Sequence, residues 1–331
     1  MTREGRLVTG GDAVPGTLDG ERVDRAVALL TGLPRSEVAA LVDAGGVRVD
    51  GRTVTARARR VRAGQRLEVD RPEVAAPPAV VAADPTVEVT VAYEDAEVLV
   101  VDKPAGLVVH PGAGNREGTL VHGLVARYPE IAGLAEEAED AGERPGIVHR
   151  LDKGTSGLLV VARSADARRA LVAQLAERTV ERRYEALVHG LLETDEGLVD
   201  APIGRSDRDP TRRAVTAGGR PARTRYRVVG RYEAPAAATL LECRLETGRT
   251  HQIRVHLAAI GHPVVGDDRY GPPRAWNPLP PGRLWLHAGT LAFAHPATGA
   301  RVELHSARPA ELAGTLDALR AAGAARGGTE P

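Results

Sequence analysis

Gly146-Ile-Val-His-Arg-Leu-Asp-Lys-Gly-Thr-Ser-Gly-Leu-Leu-Val-Val-Ala162 is the stretch from which the rest of the chain can be read. Ile147 and Val148 make a short apolar approach to a charged cluster, His149-Arg150-Leu151-Asp152-Lys153. Gly154 to Gly157 form a turn of small residues, and Leu158 to Ala162 are apolar enough for a buried strand. Asp152 therefore stands at a strand end, between two cations, beside a loop that leaves room for another molecule. Such a carboxylate is either a surface ion pair or a reactive group, and other stretches must decide.

Working outward, the 331 residues allow about two domains. The formal net charge is zero, so composition does not announce a nucleic-acid binder. The charge is unevenly spread, however. Nine arginines from Arg205 to Arg231 face only Asp207 and Asp209, whereas Glu136, Glu137, Glu139 and Asp140 cluster elsewhere. That asymmetry fits a phosphate-facing surface or a solvated arginine-rich loop. The single Cys243 alternates in phase with Leu241 and Leu245 and reads as a buried strand thiol. One cysteine excludes an internal disulfide and makes a reducing compartment the default. No membrane span and no leader is legible, so a cytoplasmic protein is expected, as a monomer by default. His251 and His256 lack chelating spacing, and no metal or cofactor is expected.

Residues 1–18 read as a loose arm. Residues 19–70 read as a compact unit with two short helices, Gly45-Gly46 as a stop, and short strands at Val47–Val49 and Leu67–Val69. Prolines 72, 77, 78 and 85 make 71–85 a stiff linker. From there to 312 strands outnumber helices and do not alternate strictly with them. This predicts an α+β domain with a mainly antiparallel sheet, followed by a tail over 313–331. Thr86 to Tyr93 alternates like a half-buried strand. Thr250 is expected to cap a helix to Ile260, with Ile253, Leu257 and Ile260 buried and Arg254 on the flank.

Arg22-Val-Asp24, Arg35-Ser36 and Gly46-Val-Arg-Val-Asp-Gly51 resemble the S4 RNA-binding domain, with Asp50 where Asn is common. The resemblance implies RNA docking through Arg22, Arg25, Arg35, Ser36, Arg48 and Arg52. Downstream, Asp102-Lys-Pro104 with His110-Pro-Gly-Ala-Gly-Asn115 is one motif, and the His149–Lys153 block with Thr155-Ser-Gly157 is another. Arg183-Tyr184 and Gly248-Arg-Thr-His-Gln-Ile-Arg254 complete the set. Together they are similar to the RluA/RluD family of RNA pseudouridine synthases, over roughly residues 85–310. The His-Pro-Gly-Ala-Gly-Asn loop points to the branch that acts on large-subunit ribosomal RNA. The resemblance implies a cofactor-free isomerase with Asp152 as nucleophile, at ribose C1′ or base C6. It makes Arg254 the ion-pair partner of Asp152. Tyr184 becomes the aromatic against the target base, with uptake of the C5 proton as a second role. Arg150 fills the place left by the everted nucleotide, and His149, Leu151, Lys153, Thr155, His251 and Gln252 shape the substrate site. A non-catalytic RNA-binding or ribosome-assembly factor, or a synthase for transfer RNA, stands as the alternative.

Overall fold

The computed structural model describes residues 13–31, 33, 35–69, 81–112, 114–135, 144–209, 211–272 and 276–327. The chain divides into two compact units, Met1–Pro77 and Pro78–Pro331.

In the first unit, helices α1 (Val23–Thr31) and α2 (Arg35–Asp43) share an apolar core with strands β1 (Val47–Val49), β2 (Arg52–Thr53) and β3 (Leu67–Val69). The strands form an antiparallel sheet in the order β2-β1-β3. Asp50 and Gly51 both take positive φ, 52° and 73°, which a tight hairpin between β1 and β2 demands. The Asp50 carboxylate accepts hydrogen bonds from Arg66 N and Gln65 Nε2, each at 2.8 Å, so an acid serves there. The expected loose arm is shorter than 1–18. Val14 is buried in the core and its amide bonds Gln65 O, while residues 1–12 lie outside the described set.

The second unit is built on one twisted sheet. Its strands are β4 (Val91–Glu94), β5 (Val98–Lys103), β6 (Ser156–Ala162), β7 (Glu181–His189) and β8 (Glu196–Asp200). A separate hairpin joins β9 (Ile203–Arg205) to β10 (Arg213–Val215). The large sheet is completed by β11 (Arg223–Tyr232), β12 (Ala238–Leu245), β13 (Leu286–Ala294) and β14 (Arg301–His305). Its order is β4-β5-β6-β13-β7-β12-β11-β8, with β14 on β13. All pairs described are antiparallel except β6 with β13, where His287 lies opposite Ser156 and Ala288 opposite Gly157. Gly157 has φ +111°, and a Cβ there would fall 2.3 Å from Ala288 O. The small residue after Thr155-Ser156 therefore lets the two strands close up beneath Asp152. The α+β reading with a mainly antiparallel sheet agrees with this architecture.

Among the described residues the α-helices of the unit are α3 (Leu120–Arg127), α4 (Ala165–Ala176), α5 (Gln252–Ala259) and α6 (Ala310–Gly327). Ser164 caps α4 by accepting from Ala167 N at 3.1 Å.

Three sequence expectations need correcting. Residues 81–85 are part of this unit, since Val81 is buried in its core and Asp84 N bonds His122 O. Residues 313–327 are the body of α6, with Leu316 and Leu319 buried against Trp285 and Leu187, and form no tail. Only Val91–Glu94 of the alternating run from Thr86 becomes a strand. The preceding residues run across α3, where Val87 O nearly touches Gly123.

Candidate active site

Asp152 leaves the His149–Lys153 loop just before β6 and lines a cleft of about 1230 Å³. Its Oδ2 accepts from Arg254 Nη1 at 3.0 Å. Arg254 comes from α5, which is buried from Gln252 to Leu257. The chain enters α5 through His251 in the left-handed conformation, φ 58°, so His251 is the cap position expected at Thr250. The helix closes at Ala259, which leaves Ile260 at the surface, 38% exposed, against the expectation that it is buried.

Arg254 is held from both sides. Nε and Nη2 form a two-pronged pair with Asp267 at 2.7 and 2.9 Å, and the guanidinium lies 4.9 Å over the Tyr270 ring. Burial alone would weaken the charge. The hydrogen bonds and charges of Asp267 and Asp152 outweigh it, and the pKa is raised above the ordinary arginine value. Asp267 and Tyr270 were not singled out from the sequence, because Gly266-Asp-Asp-Arg-Tyr-Gly271 reads as an ordinary turn. Asp267 amounts to a clamp that aims one guanidinium edge at Asp152.

A small cavity of about 50 Å³ joins Asp152 to Tyr184, Thr155 and Arg254. Tyr184 on β7 is buried, and burial pushes its phenol up to about 12, opposed by Arg182 and helped by the Asp152 charge. A phenol this weak is neutral near pH 7. It lines the same cavity as Asp152 and Thr155. The Thr155 hydroxyl is buried in the same cavity and has no hydrogen-bond partner among the described residues. Leu151 is buried in the wall, and Lys153 is exposed at the cleft.

The other expected site residues separate by what they touch. Arg150 is exposed, with Nη1 3.2 Å from His110 Nε2. His251 Nε2 is 3.9 Å from Asp152 Oδ1, and its Nδ1 shares a 2.6 Å hydrogen bond with Tyr270 Oη. His149 accepts from Val160 N at 3.1 Å, and burial with the nearby Arg182 charge holds its pKa down to about 3. It is a neutral brace for β6. Gln252 was grouped with the substrate-facing residues, but its polar atoms are used internally. Oε1 accepts from Thr247 Oγ1 and Arg249 N, while Nε2 donates to Arg223 O and Thr224 Oγ1.

Lys103 is fully buried at the end of β5. Its Nζ donates to Pro104 O at 2.7 Å and Leu107 O at 2.9 Å, closing the turn whose Gly106 N bonds Lys153 O. Burial drives its pKa down to about 7, against the pull of Asp152. Its position after Asp102 was visible in the sequence; its link to the Asp152 loop was not. Arg283 supports the same loop from another direction, through Gly154 O and Ser156 Oγ, and is anchored by Glu311 of α6. Cys243 is buried, with its thiol pushed up to about 12, so it offers no nucleophile.

With this geometry in hand, the comparisons can be weighed. The RNA pseudouridylate synthase family matches residues 97–259, and the S4 domain matches residues 21–67. An RNA pseudouridine synthase of Bacillus subtilis is 43% identical over 302 residues, covering 91% of this chain and 94% of that protein. The chain belongs to the RNA pseudouridine synthases. A ribosomal large subunit pseudouridine synthase D of Nitrosomonas europaea is also 43% identical, over 93% of this chain and 87% of its own length. Human RNA pseudouridylate synthase domain containing 1 superposes with a TM-score of 0.54 at 27% identity, covering 67% of this chain and 84% of that one.

As an RNA pseudouridine synthase with an S4 domain, the chain has RNA as its partner. Among the described residues, no helix is long and apolar enough to cross a membrane.

The charged surface differs from the sequence expectation. Along β11, Arg223, Arg225, Arg227 and Arg231 are paired with Asp200, Glu246, Glu242 and Asp195. Arg205, Arg208, Arg213 and Arg220, around the β9–β10 hairpin, have no ion pair among the described residues. Glu136, Glu137, Glu139 and Asp140 lie outside those residues. In the S4 unit, Arg22 pairs with Asp24 and Arg25 with Glu21, while Arg48 and Arg52 sit on β1 and β2. The side chains of Arg35 and Ser36 lie outside the described set.

Proposed function

We propose that this chain converts uridine to pseudouridine in large-subunit ribosomal RNA, in the cytoplasm, with Asp152 as nucleophile. The carrying observation is the Asp152 carboxylate held 3.0 Å from a doubly anchored Arg254, in a cavity shared with Tyr184. In the reaction the uridine N1–C1′ bond breaks, the uracil turns, and C5 bonds to C1′. The C5 proton is lost and N1 gains one, so no redox partner or group donor is needed. Asp152 attacks C1′ or C6 as the nucleophile, with the Arg254 guanidinium hydrogen-bonded to its carboxylate. The target nucleotide must leave its stack, at a cost of a few kcal/mol. Arg150, exposed at the cleft, takes the vacated position, and the everted base packs on Tyr184 beside the Thr155 hydroxyl. The choice of ribosomal RNA rests on relatives named for the large ribosomal subunit at 42–43% identity. The S4 unit supplies docking through Arg22, Arg25, Arg35, Ser36, Arg48 and Arg52.

The test is tritium release from ribosomal RNA carrying 5-tritiated uridine. Asp152→Asn should lower the rate by at least about 10⁴-fold while RNA affinity stays within about threefold. An Asp152→Asn enzyme of normal rate would remove Asp152 from the chemistry. A wild-type enzyme that binds RNA and releases no tritium would leave a binding factor.

A further inference from the structure

A cavity of about 440 Å³ lies between α4, the start of β7 and the turn after β12, and reaches the site above at Arg150, Asp152 and Tyr184. Guanidinium groups of Arg144, Arg150, Arg168, Arg182 and Arg249 line it, and among the described residues Asp152 is its one carboxylate. Arg182 is the informative member. It is only 5% exposed, and among the described residues its Nε has no hydrogen-bond partner and it forms no ion pair. Arg168 Nε is likewise buried without a partner. Gly248 gives the Arg182 head its space, since a Cβ there would stand 2.9 Å from Nη1.

A buried arginine without an acid is an unfavourable arrangement, and an anion entering the cavity reverses it. Planar guanidinium forks lining one cavity match the oxygens of a phosphate group. We propose that this cavity binds a backbone phosphodiester of the RNA next to the everted uridine, with Arg182 as its principal ligand. This rests on the function proposed above. The RNA backbone is favoured over a free ion because the cavity opens onto Asp152 and Tyr184, so its occupant is continuous with the nucleotide held there. Arg182 thereby sets where the strand enters, and Arg168 and Arg249 flank it.

Arg182→Met removes the charge and keeps the bulk. Rates and RNA affinity are to be measured on an oligonucleotide substrate and on the same RNA with methylphosphonate at the linkages flanking the target uridine. On native RNA the variant should show KM raised about tenfold, kcat within about twofold, and a slope of log affinity against log salt shallower by about 0.7. On the neutralised RNA, wild type and variant should be equal, because both changes remove one contact. Arg182→Lys should recover part of the affinity. Unchanged KM and salt slope, or losses that simply multiply, would overturn the proposal. So would a variant melting well below wild type, which would make Arg182 a structural ion. Inorganic phosphate that stabilises wild type but not Arg182→Met, and that RNA does not displace, would mark a free-anion site and overturn the RNA assignment. The affinity measurements read this cavity even if no pseudouridine forms, so failure here is distinct from failure of the isomerase reading.

Discussion

On β11, Arg223, Arg225, Arg227 and Arg231 each meet an acid at 2.6–3.4 Å, while Arg168 and Arg182, lining a cavity with Asp152, meet none among the described residues. Both groups come from arginine-rich sequence, and both lie in the same unit. The difference is register. Antiparallel pairing sets Arg227 opposite Glu242 and Arg223 opposite Asp200, while Arg225 and Arg231 reach Glu246 and Asp195 just beyond the ends of β12 and β8. The cavity arginines come from a helix, a strand end and two loops, which share no ladder. Dense positive charge in the sequence therefore says little about where a polyanion binds; unmatched charge in a concave place says more. Arg254 is a third case, an arginine matched twice, with one acid fixing it and the other facing the cleft.

The comparison breaks most sharply at Arg254. Asp267→Asn keeps the shape of the clamp and removes its charge, leaving Arg254 to swing toward Asp152 or away from it. We expect activity to fall about 10²-fold or more, and stability by roughly 3 kcal/mol, because a partner is removed from a buried pair. Arg182→Met, by contrast, should leave stability unchanged or slightly improved. Melting curves with single-turnover rates on both variants check this. Near-normal rates in Asp267→Asn would reduce Asp267 to a packing residue.

Lys103 extends the comparison to a cation buried against carbonyls. Its folded pKa is about 7, below the ordinary value of 10.5. Between those values the unfolded chain binds the proton and the folded chain does not, so stability rises with pH across that window. Below about 7 the folded state carries the full penalty of a buried charge. From pH 7 to 8.5 the gain amounts to up to about 2 kcal/mol. Lys103→Met should flatten melting temperature against pH over this range. An unchanged slope would mean that Lys103 keeps its proton in the fold.

How much of this was legible beforehand follows from how local each signal is. The Leu158–Ala162 run reads as a buried strand and is one, because continuous apolar sequence leaves no solvated face. Asp152 and Arg254 were legible as a pair only through the family resemblance, since 102 residues separate them. Asp267, Lys103 and Arg283 were not, since each acts through contacts that only the tertiary fold creates. The alternation from Val87 to Val91 was real, but α3 satisfies it in place of a neighbouring strand. The many small residues after Ala310 made 313–331 read as a tail and hid the burial of Leu316 and Leu319, which draws α6 into the fold. Likewise, helical periodicity through Ile260 gave no sign that the helix would stop one residue short.

The smallest expected effect decides whether β11 belongs with the RNA surface at all. Arg227 is 60% exposed on its side chain and 3.4 Å from Glu242, so the pair is well solvated. Exposed pairs of this kind contribute under about 1 kcal/mol, and salt screens them further. Arg227→Gln should therefore shift stability by less than about 0.5 kcal/mol and leave the salt dependence of RNA affinity unchanged. If Arg227 instead reaches a phosphate in the complex, its loss lowers the slope of log affinity against log salt by about 0.7, as predicted for Arg182. Equal slopes for the two variants would erase the distinction between matched and unmatched arginines. A change in Arg182→Met alone would leave ladder pairing as the reason that the β11 arginines stay with the sheet.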